Sequence, residues 1–197
     1  MMTLEEIMAL TGSLVDEEFE LEDGKIPSEL LRFYNACSQE ISPIARVVGR
    51  ATADYIPELT EITVPKDFLK RIPRGFLWFN GEEIPEQSLM TPNRRGYIMW
   101  GDVIILNNIS DKPGTLLMYY YRKLPKFTGD PEEEPIIHED FHDIYAFYAA
   151  TRWFQGEPDE YEAKRDRQLD FERRKTELDI FTLSNDTAPF AKIKNVY

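Results

Sequence analysis

The sequence predicts a mixed α+β fold, in which a helical bundle carries an inserted antiparallel β-meander and ends in an extended C-terminal tail. Three observations predict it. Apolar residues recur at helical spacing toward both ends, they give way between about residues 51 and 123 to short or alternating runs broken by Gly, Pro and Asn, and after residue 186 the acids stop. A length of 197 residues suits a single domain with an insertion, here 1–186, followed by the tail 187–197. With 42% hydrophobic and 13% aromatic residues the chain carries enough apolar area to offset chain entropy, which excludes wholesale disorder.

The first helix is expected over 3–11. Thr3 caps it, Leu4, Ile7, Met8 and Leu10 fall at helical spacing, Glu5 and Glu6 complement the N-terminal dipole, and Gly12 ends it. Six acids between Asp16 and Asp23 then read as a solvated loop. A second helix is expected over 28–41 from the stripe Leu30, Leu31, Tyr34, Cys37, Ser38 and Ile41, with Ser28 as N-cap and Pro43 as exit. Periodicity leaves open whether a new helix starts at Ser42-Pro43 or the chain turns extended there.

The insertion holds candidate strands at 61–64, 75–79, 96–100, 103–107 and 115–122. Asn80-Gly81 supplies the positive φ angles of a type I′ turn, Gly101-Asp102 joins two apolar runs tightly, and Lys112-Pro113-Gly114 makes another reversal. Residues 65–71 are expected to form one helical turn. An acidic linker at 130–135 leads into a third helix, 138–155, which is apolar around most of its circumference and therefore central. Gly156 and Pro158 break it. The last helix, 159–183, has supporting pairs such as Glu160 with Lys164 and Asp170 with Arg174, but its apolar residues form no single stripe. Such a helix is either largely solvated or shared with neighbouring subunits.

Charge and cysteine usage narrow the function. A net charge of −13 repels nucleic-acid phosphates over most of the surface, so a general DNA-binding surface is not expected. The single cysteine, Cys37, closes no intrachain disulfide and fits a reducing compartment. The start lacks the basic region of a signal peptide, and no apolar run approaches the ~18 residues of a membrane span, so the expected protein is soluble and unsecreted.

Among catalytic patterns the sharpest match is His138-Glu139-Asp140-Phe141-His142, which satisfies the zinc motif of two histidines one helical turn apart beside a glutamate base. Glu162, 20 residues after His142, could supply a third ligand. This defines the alternative function, a small zinc metallopeptidase. Against it, the chain has only these two histidines, and the motif lies at the acidic start of its helix. Phosphate-binding loops, dinucleotide fingerprints and nucleophile elbows are absent from the sequence. Paired acids such as Glu82 and Glu83 read as solvated turns, and Tyr119, Tyr120 and Tyr121 read as sheet packing. No metal, cofactor or catalytic residue is assigned.

Taken in order, four stretches resemble one family. They are the helix around Ile26-Pro27-Ser28-Glu29-Leu30-Leu31, the turn Val64-Pro65-Lys66-Asp67-Phe68-Leu69, the hairpin Phe79-Asn80-Gly81-Glu82, and the strand Tyr119-Tyr120-Tyr121-Arg122 continuing through the linker to Phe141-His142-Asp143-Ile144. A helix, a Pro-Asp-Phe-Leu-like turn, an Asn-Gly hairpin, a Tyr-Tyr-Arg strand and a Phe-His-Asp helix occur in this order in the head-tail adaptor (connector) proteins of tailed bacteriophages, which the chain resembles over about residues 26–175. Ser42-Pro43 departs from that pattern by interrupting the second helix.

The resemblance implies a structural virion protein rather than an enzyme, assembled in the bacterial host cytoplasm. It implies a homo-oligomeric ring, twelve-fold, that joins the portal protein to a tail or nozzle protein and lets DNA pass without specific binding, with no membrane contact. His142 then looks like a regular feature of the helix start. Phe190, Lys192, Ile193, Lys194, Val196 and Tyr197 become candidates for a portal-docking tail. Asp16, Glu17, Glu18, Glu20, Glu132, Glu133 and Glu134 become candidates for acids lining the channel.

Overall fold

The structure, a computed structural model, describes residues 1–88, 94–154 and 161–185. The chain forms two compact units, one from Met1–Val47 with Leu124–Tyr197 and the other from Val48–Lys123. The fold is mixed α+β, and the β insertion is a unit of its own.

Among the described residues the first unit holds four α-helices: α1 (Leu4–Val15), α2 (Ser28–Ala45), α3 (Ile144–Trp153) and α4 (Tyr161–Asn185). The other three all pack on α3. Its residues Ile144, Tyr145, Ala146, Tyr148, Ala149, Ala150 and Thr151 are buried, as its apolar circumference requires. Ala146, Ala149 and Ala150 are wholly inaccessible, and side chains that stop at Cβ let neighbouring helices approach closely. Around α3 lie Leu4, Ile7, Leu30, Tyr34, Ile41, Phe141, Phe171 and Leu178 in one continuous core. The linker before α3 satisfies backbone groups that helix starts leave open: the Leu4 N–H donates to the Glu133 carbonyl at 2.9 Å and the Glu5 N–H to that of Pro131 at 3.1 Å.

Several helix limits differ from expectation. α1 has its capping box, with Glu6 N–H on Thr3 Oγ1 at 3.3 Å and Thr3 N–H on Glu6 Oε2 at 2.9 Å. It does not stop at Gly12 but runs on to bury Val15 against Ala150 and Phe154, and Asp16 ends it in the left-handed region at φ 58°. Gly12 is needed for another reason, since a Cβ there would lie 2.5 Å from the Glu17 carbonyl oxygen. α2 is preceded by Pro27 as N-cap, with Ser28 already helical, and it continues through Pro43 to Ala45. Pro43 falls in the last turn, where it gives up the bond that an N–H would make to the Gln39 carbonyl. Burial of Ile41 and Ala45 holds that turn, as does Ser42, whose hydroxyl donates to Ser38 at 2.6 Å and accepts the Leu124 N–H at 3.0 Å. The open junction is thus settled as a continuation of the helix. The third helix is split into a 3-10 turn, Glu139–Phe141, and α3, while Gly156 and Pro158 lie outside the described residues.

The second unit has strands β1 (Val48–Tyr55), β2 (Glu61–Thr63), β3 (Phe68–Arg71), β4 (Leu77–Phe79), β5 (Glu82–Ile84), β6 (Gly96–Trp100), β7 (Val103–Asn107) and β8 (Gly114–Arg122). One sheet has the order β1-β8-β4-β5, with β3 also on β8, and the other runs β2-β7-β6. All of these pairings are antiparallel. Neighbours in sequence pair at β4–β5, across Asn80 and Gly81 at φ 47° and 86°, and at β6–β7, across Gly101 and Asp102. Elsewhere the pairing is long-range, with β8 at the centre of its sheet.

Residues 65–71 form no helical turn. The Phe68 N–H closes a tight turn on the Pro65 carbonyl at 2.9 Å and the chain then pairs with β8 as β3. β1 also goes beyond the expected strands, because Gly49, Ala51 and Ala53 give it no apolar alternation of its own. Its partner supplies the bulk: the Tyr120 ring lies where a Cβ on Gly49 would be, 2.7 Å from the nearest ring carbon.

Phe171, 1% exposed and edge-on to Tyr148 at 5.1 Å, anchors α4 on α3. Phe171→Ala should lower unfolding free energy by about 3–5 kcal/mol in denaturant titrations. A loss below about 1 kcal/mol would mean that α4 is not part of this core.

Candidate functional site

The zinc motif does not form a helical pair. His138 precedes the 3-10 turn in extended conformation, φ −59° and ψ 138°, and its Nδ1 accepts the Asp140 N–H at 3.4 Å. Its ring packs at a tilt against that of Phe181 of α4, 4.7 Å between centroids. His142 follows the turn and is 1% exposed. Its Nε2 lies 3.1 Å from the Ile137 carbonyl, and its Nδ1 lies 3.1 Å from both the N–H and the carbonyl of Met2, so each ring nitrogen has a backbone partner in either tautomer. Both ring nitrogens therefore tie backbone segments together, holding Met2, ahead of the Thr3 cap of α1, and Ile137, before His138, at the start of α3. Among the described residues no group of three potential ligands is placed to hold a metal ion, Glu162 included.

The other residues of the recurring motifs also meet one another. Asp67, in the Pro-Asp-Phe-Leu turn, accepts the Tyr120 hydroxyl at 2.8 Å and pairs with Arg122 at 3.1 Å, so the turn is bound to the Tyr-Tyr-Arg strand. Burial raises the Tyr120 hydroxyl to about 12, with Asp67 adding to the effect, which keeps it a donor at neutral pH. Phe68 packs on the same ring at 5.7 Å. Asn80, in the hairpin, exchanges bonds with Thr115, its N–H to the Thr115 carbonyl at 3.1 Å and its Oδ1 from the Thr115 N–H at 2.9 Å. Asp143, after His142, takes Arg174 of α4 through Nε at 3.1 Å and Nη2 at 2.8 Å.

Arg174 is the residue that sequence reasoning misplaced. It was expected to pair with Asp170 along its own helix, but Asp170 holds Arg167 at 3.3 Å, and Arg174 instead bridges Asp143, the Asp140 carbonyl and the Phe141 ring, the last at 5.1 Å. Lys175 reaches Glu40 of α2 at 2.9 Å, and that bond holds its ammonium above the usual range. The only sequence signal for either bond was the unusual charge density of α4.

The acid candidates divide. Asp16, Glu17, Glu18, Glu20, Glu132 and Glu134 are exposed. Glu133 is engaged, its Oε2 accepting the N–H groups of Thr128 at 2.8 Å and Gly129 at 3.1 Å, so it closes the linker loop instead of facing open solvent. Phe190, Lys192, Ile193, Lys194, Val196 and Tyr197 lie outside the described residues. In the second unit a cleft of about 420 Å³ is lined by Lys70, Arg71, Arg74, Glu83, Glu86 and Tyr97; within it Arg71 pairs with Glu86, and Glu83 accepts the Gly75 N–H at 2.8 Å.

No protein-family model matches the chain, and no curated protein matches it either. The functional reading therefore rests on the residues themselves.

Since the His142 nitrogens are engaged, purified protein should carry no stoichiometric zinc that His138→Ala removes. Stoichiometric zinc lost in that variant, by elemental analysis, would restore the peptidase reading.

Proposed function

We propose that this chain is a non-enzymatic structural protein of a tailed-phage virion, a head-tail adaptor whose copies form a ring between the portal and the tail. One observation carries the reading: the motif residues on which the resemblance rests act as structural ties. Asp67, Tyr120 and Arg122 bind a turn to the central strand, and His142, Asp143 and Arg174 bind three helical segments. A protein that works by holding shape under load needs such ties more than it needs a reactive cleft. Rings arise when a heterologous contact repeats with a rotation that closes, and a portal ring would template that rotation. An acidic protein suits such a conduit, because a basic lining would retain passing DNA.

The tail 187–197 is the segment proposed to dock on the portal. Lys192, Ile193, Lys194, Val196 and Tyr197 alternate in the manner of a strand that adds to a partner's sheet edge or groove.

Negative-stain imaging of the chain mixed with its cognate portal should show an added ring at one end of the portal. Portals that remain bare at saturating protein would contradict the assignment. Deleting 187–197 should leave the melting temperature unchanged and abolish attachment, and undiminished portal binding by the truncated protein would overturn the docking role of the tail.

A further inference from the structure

β1 is an edge strand of eight residues. It pairs with β8 along its whole length without a register shift, and among the described residues nothing pairs with its other side. The remaining edges are short, irregular or covered: β2 and β5 have three residues each, β3 is interrupted between Phe68 and Lys70, and β6 is bridged at Tyr97 by Pro85 and Gln87. An open edge presents unpaired N–H and C=O groups, and proteins guard it with Pro, a bulge or charged side chains. β1 has no Pro and no bulge, and its two charges, Arg50 and Asp54, are of opposite sign.

The backbone groups that face outward follow from β8. The Tyr119 N–H donates to the Phe76 carbonyl at 2.9 Å and the Thr115 carbonyl accepts the Asn80 N–H at 3.1 Å, so the odd-numbered residues of β8 turn toward β4. The even-numbered ones turn toward β1, where their partners are Gly49, Ala51, Ala53 and Tyr55. Arg50, Thr52 and Asp54 therefore direct their N–H and C=O groups away from the sheet. Their side chains share one face and are exposed, as are Val48 and, just past the strand, Ile56, at 42% and 53%. Among the described residues neither Arg50 nor Asp54 has an ion-pair partner, and their neighbours on β8, Tyr119 and Thr115, carry no full charge.

We propose that β1 pairs with the β1 of a second copy, antiparallel about a two-fold axis at Thr52. In that register outward-facing backbone groups meet their like: Thr52 stands opposite the partner's Thr52, Arg50 opposite the partner's Asp54, and Asp54 opposite the partner's Arg50. Val48 meets the partner's Ile56. Thr–Thr, opposite-charge and apolar pairs are the cross-strand combinations that stabilise a sheet. On the other face Ala51 meets the partner's Ala53 and Gly49 the partner's Tyr55, so no bulky side chain stands opposite another. Sliding the register by two residues keeps the backbone bonds but sets Arg50 opposite Thr52 or Ile56, so the charges select the register. Such a contact is isologous and closes on itself. It is a state of the free chain, distinct from the heterologous contact that a ring repeats, and it does not depend on the adaptor reading.

The test is sedimentation of the full chain in about 0.15 M salt, where long-range repulsion between two acidic copies is screened. The wild type should pass from one chain to two as its concentration rises. Arg50→Asp sets two carboxylates against each other at both ends of the pairing and Asp54→Arg sets two guanidinium groups there, so each variant alone should stay single. Mixing the two variants should restore the dimer, and the double variant Arg50→Asp with Asp54→Arg should dimerise by itself. Both positions are exposed, so each variant should melt as the wild type does. A wild type that never populates a dimer overturns the proposal. Dimers undiminished in both single variants overturn it as well, and so do single variants that remain apart on mixing.

Discussion

The helical unit depends on the burial of most of the surface of α3. A ten-residue helix with tyrosines, an isoleucine and three inaccessible alanines, half-buried only at Phe147, Arg152 and Trp153, has little surface to offer to water, so other elements must cover it. The alanines decide how: with no side chain beyond Cβ, they let helices close in around Ile144, Tyr145 and Tyr148. That one requirement draws in segments far apart in sequence, α1 and α2 from before the insertion and α4 from after it. The insertion leaves the helical unit at Val47 and returns to it at Leu124, so it can form its own sheets without interrupting this core.

Polar ties then fix what apolar packing alone leaves adjustable. His142 engages the Ile137 carbonyl with one ring nitrogen and the Met2 backbone with the other. Asp143 takes a two-pronged bond from Arg174, and Lys175 reaches Glu40. In the other unit Asp67 does the same with Tyr120 and Arg122. Because these groups sit at element ends, they set the angle at which each element enters its neighbours. Charge-assisted bonds that are partly shielded from solvent serve this better than exposed pairs, which contribute little.

The elements that could be read from the sequence were those whose own side chains carry the pattern. Strands β6 and β7 lie where the apolar alternation and the Gly101-Asp102 turn put them, and α3 is central because its composition admits nothing else. The elements that could not be read depend on partners distant in sequence. β1 is built on small residues that only Tyr120 and its neighbours make sense of, and β3 exists because β8 offers an edge to Phe68, Lys70 and Arg71. Gly12 and Pro43 misled for a related reason, since burial of Val15 and of Ala45 outweighs the local preference to stop. The zinc motif shows the same limit at a candidate site. Its spacing was visible, but the engagement of both His142 nitrogens with residues 2 and 137 was not.

In this account the helical unit is a rigid body organised by α3. Native-state hydrogen exchange on the full chain measures that claim most directly. The amides of Tyr148, Ala149 and Ala150 should exchange only through global unfolding of the helical unit, with the same opening free energy as those around Phe171 and Leu178 of α4. Exchange of the α3 amides through a smaller, local opening, while α4 stays protected, would show that α3 is not the element on which the others depend.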